Sequence, residues 1–528
     1  MDSRDRVIVW SLLTVLPYYA SKVAIAVNTA IVEYNFGVIG GASLAAESDT
    51  LHWEFLWMGS VMGGMRAITI LAASKAHRCA PIRPLGEALN RANSETTPAS
   101  SLIAPPPQMG VLHFTFRGMV PPPLLATDAS TDPRDVSLSL RLGVVANTAT
   151  IITTLYCIPV MCLFYYSGDW FFIARRTNSA MLGRMQDYGR GFWWGVLPTQ
   201  WLYLNEQFAL GVHASGIALV YGGVVYAVAA TVIGVVLVSG GHGVWGLGVG
   251  MSAGAWIGWI ALKLHLTIDP YWRALGLNGE SLWSGATRRY YVDAMIVQAC
   301  DYLRLSAPLA LANISSLARG LIVAAVVSEV STNDATAYSI SGAYFETLNV
   351  AVLAASSCIS AVVAASSEGS HTREYLGQQP RRIQWAVCIV VLVSGLLGLL
   401  PLVSTERFAR IFGAQVYAIG DAAVDRALGQ VELFNYINFA AYSIGVVYMA
   451  IAATLHGFFD VSVPLLITVV GNVVGGAWTI VWSRRDPANV TAAACGPIVA
   501  QVVAAILGGI RLFGKWKGAI PPTLATQL

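Results

Sequence analysis

The chain has 528 residues, of which 55% are apolar and only 12% are Asp, Glu, Lys or Arg. Soluble domains carry about 25% charged residues, so this composition excludes an ordinary soluble protein and points to repeated membrane crossing. A net charge of +3 leaves no basic footprint for nucleic acid, and the seven scattered cysteines show neither a disulfide framework nor metal-ligand spacing.

At about 20 apolar residues per crossing, twelve spans are predicted. They run roughly over 7–32, 53–74, 142–166, 189–210, 214–238, 244–265, 302–328, 336–366, 384–404, 433–456, 461–483 and 490–512. Barrel strands would alternate with period two, whereas these runs are unbroken. The expected fold class is therefore an all-α polytopic membrane protein. Spans 1–2 fall within 1–78, spans 3–6 within 137–266 and spans 7–12 within 301–512. Between them lie a segment at 79–136 and an inter-lobe linker at 267–300, and 513–528 form the tail. The 79–136 segment holds Pro105-Pro106-Pro107 and Pro121-Pro122-Pro123 and reads as a mostly disordered cytoplasmic insertion. With the amino terminus placed in the cytoplasm, basic residues on that side outnumber those opposite by about two to one. Both termini are expected inside.

Ionisable groups at bilayer depth cost roughly 3 kcal/mol or more, so each demands a partner or a wet cavity. In chain order these are Lys22 and Glu33 in span 1, Glu54 and Arg66 in span 2, Glu206 in span 4, Arg319 in span 7 and Glu346 in span 8. Glu33 and Glu346 are the cation-coupling candidates, because a carboxylate at depth exchanges H⁺ or Na⁺. Lys22 and Glu33 lie eleven residues apart, roughly 16 Å along a helix, so Lys22 is expected to pair with another helix or to line the cavity. Glu206 lies near a span end, where a hydrated carboxylate is ordinary. Arg66 reads as a structural ion-pair member or a substrate contact. Arg319 and Glu346 are expected to meet near mid-membrane. Asn313, Asn349, Asn435, Asn438 and Trp201 complete the expected substrate-cavity set, with Trp193, Trp194 and Tyr203 near Trp201. Pro17, Pro198 and Pro308 each remove a backbone donor and are hinge candidates. Gly246, Gly250, Gly254 and Gly258 form a small-residue ridge suited to close helix packing.

The two halves echo each other. Pro17 and Ala72-Ala73-Ser74 recur as Pro308 and Ala364-Ala365-Ser366, at separations of 291 and 292 residues, and Gly211 recurs as Gly457 after 246. Six plus six spans with a path between the halves is a transporter pattern, here two six-helix lobes related by a pseudo-two-fold axis.

Several strings then resemble the multidrug and toxic compound extrusion (MATE) family. They are Tyr302-Leu-Arg-Leu-Ser-Ala-Pro308, Ala335-Thr-Ala-Tyr-Ser-Ile-Ser, Ala364-Ala-Ser-Ser-Glu-Gly, Gly41-Ala-Ser-Leu-Ala-Ala, Tyr188 with Leu197-Pro198, Gly246-Leu-Gly-Val-Gly, and Leu455-His-Gly457 with Pro464. The resemblance implies two lobes in a V and export of organic cations, drugs or metabolites in exchange for H⁺ or Na⁺ by alternating access. It implies a monomer in a lipid bilayer, acting on small-molecule substrates with no cofactor. The family's span 1 carboxylate falls at Val32 or Glu33, and the acidic residue eight positions after the span 7 proline is Ser316 here. A lipid-linked oligosaccharide flippase of the same superfamily, or a membrane scaffold using the 79–136 insertion, are the alternatives. No HExxH helix, GxSxG turn or paired Asp-rich motif is present, so no catalytic activity is expected.

Overall fold

The fold was read from a computed structural model. It describes residues 138–166, 179–212, 216–269, 288–330, 332–368, 373–413, 422–486 and 489–519, together with 62–73, Met58 and helical residues scattered between 16 and 35. Glu33, Glu54, the 79–136 insertion and the 270–287 part of the linker lie outside the described residues. The architecture is all helical, and helix occurs in every predicted span. Among the described residues, seven stretches are long and apolar enough to cross a bilayer. One of them, Ala218–Ile268, carries spans 5 and 6 together; Gly241 (φ 85°) and Gly243 (φ 54°) divide it at a backbone conformation that side chains with a Cβ rarely adopt. The protein is thus an integral membrane protein.

The longest helices belong to the second half: Arg288–Val330, Thr332–Glu368, Arg373–Val403 and Ala422–Gly457. The helix of span 7 begins at Arg288, inside the stretch assigned by sequence to the linker. Spans 11 and 12 follow as Ser462–Arg485 and Gly496–Ala519.

The repeat read from the sequence appears as repeated packing. Thr69 donates from Oγ1 to the Gln207 carbonyl at 2.9 Å, and Ser360, 291 positions after Thr69, donates to the Ala453 carbonyl at 2.8 Å. Ala453 stands 246 positions after Gln207, the same shift as Gly211 to Gly457. A Cβ on Gly211 would strike Ala72 and Thr69; one on Gly457 would strike Val363 and Ser360. These glycines let the end of span 4 press on span 2, and the end of span 10 press on span 8, where tight contact substitutes for a hydrophobic driving force.

The halves meet along spans 2 and 8. Ile70, Ala73, Ala361 and Ala364 form one buried cluster made of two pairs related by the 291-residue shift. Arg66 also reaches its own counterpart, donating from Nε to Ser357 Oγ at 3.2 Å and from Nη2 to the adjacent Ser356 Oγ at 3.0 Å. A residue can touch its own repeat mate only at the symmetry axis. Spans 2 and 8 therefore carry that axis.

Local chemistry shapes the first lobe. Pro198 cannot donate to the Trp194 carbonyl four residues earlier; a 3-10 turn, Trp193–Gly195, precedes it, and the Trp256 indole N–H takes that carbonyl at 3.1 Å. Span 5 opens with a π-helical stretch, Ala218–Val225, a widened turn that is frequent at functional sites. On span 6, a Cβ at Gly250 or Gly254 would run into Gly234 or Ala230, so the glycine ridge packs on span 5.

Candidate functional site

A cavity of about 240 Å³ opens beside the axis. Spans 7, 8, 10, 11 and 12 supply most of its wall, while Met62, Arg66 and Tyr203 come from the first lobe. Of the residues singled out by sequence, it brings together Arg66, Asn313, Arg319, Asn349, Asn438 and Pro308. Pro308 sits within an unbroken helix there. The Glu346 side chain lies outside the described residues, so its meeting with Arg319 remains an expectation.

The wall is rich in oriented amides. Asn438 donates from Nδ2 to Ser341 Oγ at 2.9 Å, and Asn472 donates to Ser315 and Ser316 Oγ at 3.0 and 3.2 Å. Ser316, standing where the resemblance leads one to expect an acid, lines the cavity as a neutral hydroxyl and returns its own hydrogen to the Ala312 carbonyl. Among the described residues the wall carries two guanidinium groups, one imidazole and no carboxylate.

Four expected cavity residues are absent from the described wall. Lys22 and Glu206 are instead buried in the first lobe, 5% and 2% exposed, with Nζ 2.8 Å from Oε2. Glu206 is thus not a hydrated carboxylate at a span end: helix Val196–Gly211 continues past it and the neighbouring helices close over it. Its carboxylate occupies the place where Gly222 would carry a Cβ, and Gly223 lies against the Ser21 backbone. The Lys22 ammonium stands 5.3 Å over the Tyr203 ring. Tyr203 therefore touches the ion pair and also belongs to the cavity wall. Trp201 packs with Trp259 at 4.8 Å between ring centroids and with Trp256 at 6.3 Å, and its indole donates to Thr154. The step of two positions from Trp201 to Tyr203 on one helix separates interhelical packing from cavity, a distinction invisible in an aromatic run. Asn435 is completely buried away from the described wall, and neither amide atom has a hydrogen-bond partner among the described residues. Pro17 and Pro198 also stand outside the described wall.

Sequence reasoning passed over His456, Asn472 and Gln501, all on the wall. Asn472 and Gln501 interrupt apolar spans 11 and 12, the same signal that marked Asn313. His456 stood in a string used only for its likeness to the family.

Neither protein-family models nor curated proteins match this chain by sequence. Solved structures do match. A eukaryotic MATE transporter, AtDTX14, superposes with a TM-score of 0.69 at 14% identity, covering 97% of this chain and 96% of that one. The outward-facing form of a multidrug resistance MATE family transporter gives 0.66 at 13% identity, with 97% of each chain covered. The fold is that of the MATE transporters. A third match is a MOP superfamily transporter from Pyrococcus furiosus, described as having a binding pocket of reverse polarity suggestive of a different function. It superposes at 0.66 with 12% identity over 97% of this chain and 96% of that one. The MATE fold accounts for the two-lobed arrangement and for the cavity between spans of both halves.

Proposed function

We propose that this protein is a secondary-active transporter that exports a small drug or metabolite in exchange for H⁺ or Na⁺ by alternating access. The observation that carries this reading is the position of the cavity. It lies beside the pseudo-two-fold axis with wall residues from both halves, so a rigid-body rocking about spans 2 and 8 exposes the same side chains to either compartment in turn. The cavity of about 240 Å³ suits a small solute better than a lipid-linked oligosaccharide. Glu33 and Glu346 are the proposed coupling carboxylates, and the protein works as a monomer with both termini in the cytoplasm.

The test is a counterflow screen in proteoliposomes with imposed H⁺ or Na⁺ gradients. Solute uptake should follow one gradient, and Glu33→Gln should remove that dependence. Uptake that stays coupled in this variant removes Glu33 from the mechanism. Complete failure of counterflow in the intact protein favours the scaffold reading, whereas unchanged transport after deletion of 79–136 makes that insertion peripheral.

A further inference from the structure

We infer that Phe459 is a wedge that seals the cavity at the end where spans 8 and 10 finish, and that opening to that side requires its ring to leave the first lobe. The inference rests on the transport reading of the same cavity and names the residue that gates one of its mouths.

The backbone singles this residue out. Helix Ala422–Gly457 is closed by two bonds, from the Phe459 N–H to the His456 carbonyl at 2.9 Å and from the Asp460 N–H to the Leu455 carbonyl at 3.1 Å. A cap of this kind puts one residue in the left-handed region, a place usually given to glycine. Here that residue is Phe459, at φ 58°, the one non-glycine residue with positive φ among the described residues. A Cβ makes the conformation unfavourable, and such strain persists only where the surroundings over-determine it.

The surroundings do so from both lobes. Asp460 Oδ2 accepts from Arg511 Nε at 2.9 Å and from Nη2 at 2.7 Å, which ties the residue after Phe459 to span 12. Val461, next in the chain, is buried and stands in the cavity wall. The half-buried Phe459 ring crosses to the other lobe. It packs on the axis cluster of Ile70, Ala73, Ala361 and Ala364, and on a second cluster that includes Met65 and Leu71 of span 2. The cavity lies immediately inward of this contact: Arg66 stands one turn before Ile70, and His456 three residues before Phe459, both on the wall. The four axis residues are at most 1% exposed, so the floor beneath the cavity is tightly packed. A wedge fixed to the second lobe and seated against the first is withdrawn only when the lobes part at this end. Its apolar contacts are made in the closed state and lost in the open one, so removing them shifts the population toward opening.

The experiment uses the full chain in membrane vesicles of both orientations. Ala452→Cys on the cavity wall is the reporter, and the membrane-impermeant thiol reagent methanethiosulfonate ethyltrimethylammonium is the probe. Labelling of protein without the reporter is subtracted to remove the native cysteines. A carboxyl-terminal epitope marks the side on which the wedge lies, because the end of span 12 is paired with Asp460. From that side the reporter should react slowly with Phe459 in place and about tenfold faster after Phe459→Ala, the factor that ~1.4 kcal/mol of lost closed-state contact gives. Phe459→Leu keeps an apolar wedge and should fall between the two. Phe459→Gly removes both ring and strain. It should label as fast as Phe459→Ala and survive heating better, because glycine enters the left-handed region without a steric penalty. Monodisperse elution shows that each variant has folded. Labelling from the wedge side that is indifferent to Phe459→Ala in folded protein, or that rises equally from both sides, overturns the inference. Counterflow, measured with Ala452 intact, separates it from the transport reading. Faster labelling without counterflow keeps the wedge and overturns transport, whereas counterflow with unchanged labelling does the reverse.

Discussion

In the first repeat, Lys22, Tyr203, Glu206 and Gly222 fill a space that Asn313, Met449, Ala452 and Thr468, their counterparts by the 291- and 246-residue shifts, leave open in the second. All four of the later residues line the cavity. One helix framework thus holds a closed ion pair on one side of its axis and a solute-sized void on the other. The difference comes from side chains. A lysine and a glutamate bridge spans 1 and 4, whereas an asparagine and an alanine cannot reach each other, so the backbone symmetry of the helices coexists with opposite interiors.

The largest effect should come from opening the closed side. Truncating either Lys22 or Glu206 to Ala leaves one buried charge without its partner, for which about 3–5 kcal/mol of stability is expected to be lost. The double change Lys22→Met with Glu206→Leu should recover most of that loss, as read by thermal survival of the monodisperse protein. If the double variant is as unstable as either single one, the pair is not what fills the first lobe.

Next comes Gly222→Ala. The added methyl meets the Glu206 carboxylate, and overpacking of this kind costs about 1–3 kcal/mol. Gly320→Ala in the second half has nothing within contact distance and should change stability by no more than about 1 kcal/mol, in the stabilising direction. Equal melting shifts for the two substitutions would show that the first lobe has slack around its ion pair.

A transplant sharpens the comparison further. Asn313→Lys together with Ala452→Glu should build an ion pair in the second lobe, fill part of the void and reduce solute binding about tenfold, close to 1.4 kcal/mol. Unchanged binding in nanodiscs would mean that these positions do not bound the solute. Smallest of all, Thr69→Ala and Ser360→Ala each remove one hydroxyl donor at equivalent places, that of Thr69 being shared between the carbonyl and the side-chain oxygen of Gln207. Each should cost about 1 kcal/mol, and a clear inequality between them would break the symmetry argument at its tightest point.

The spans and the repeat were legible because both are properties of long runs and large separations. Pro17 and Pro308, or Gly211 and Gly457, hold their spacing regardless of which way a side chain turns. The wall of the cavity was partly legible: Arg66, Asn313, Arg319, Asn349 and Asn438 announced themselves as polar groups inside apolar helices. Lys22 and Glu206 carried the same signal and proved to be each other's partner, which sequence separation alone could not reveal. Trp201 and Tyr203 show the limit most plainly, since both suit a cavity by chemistry and only one lines it.

The amino-acid order by itself determined that this is a helical membrane protein, where its helices run and that it is built twice, because apolar length and recurrence are one-dimensional quantities. Tertiary structure decided which buried charges neutralise one another and which face a solute, because that depends on the rotation of each helix about its own axis and on the few ångströms that glycines such as Gly222 yield to a neighbour.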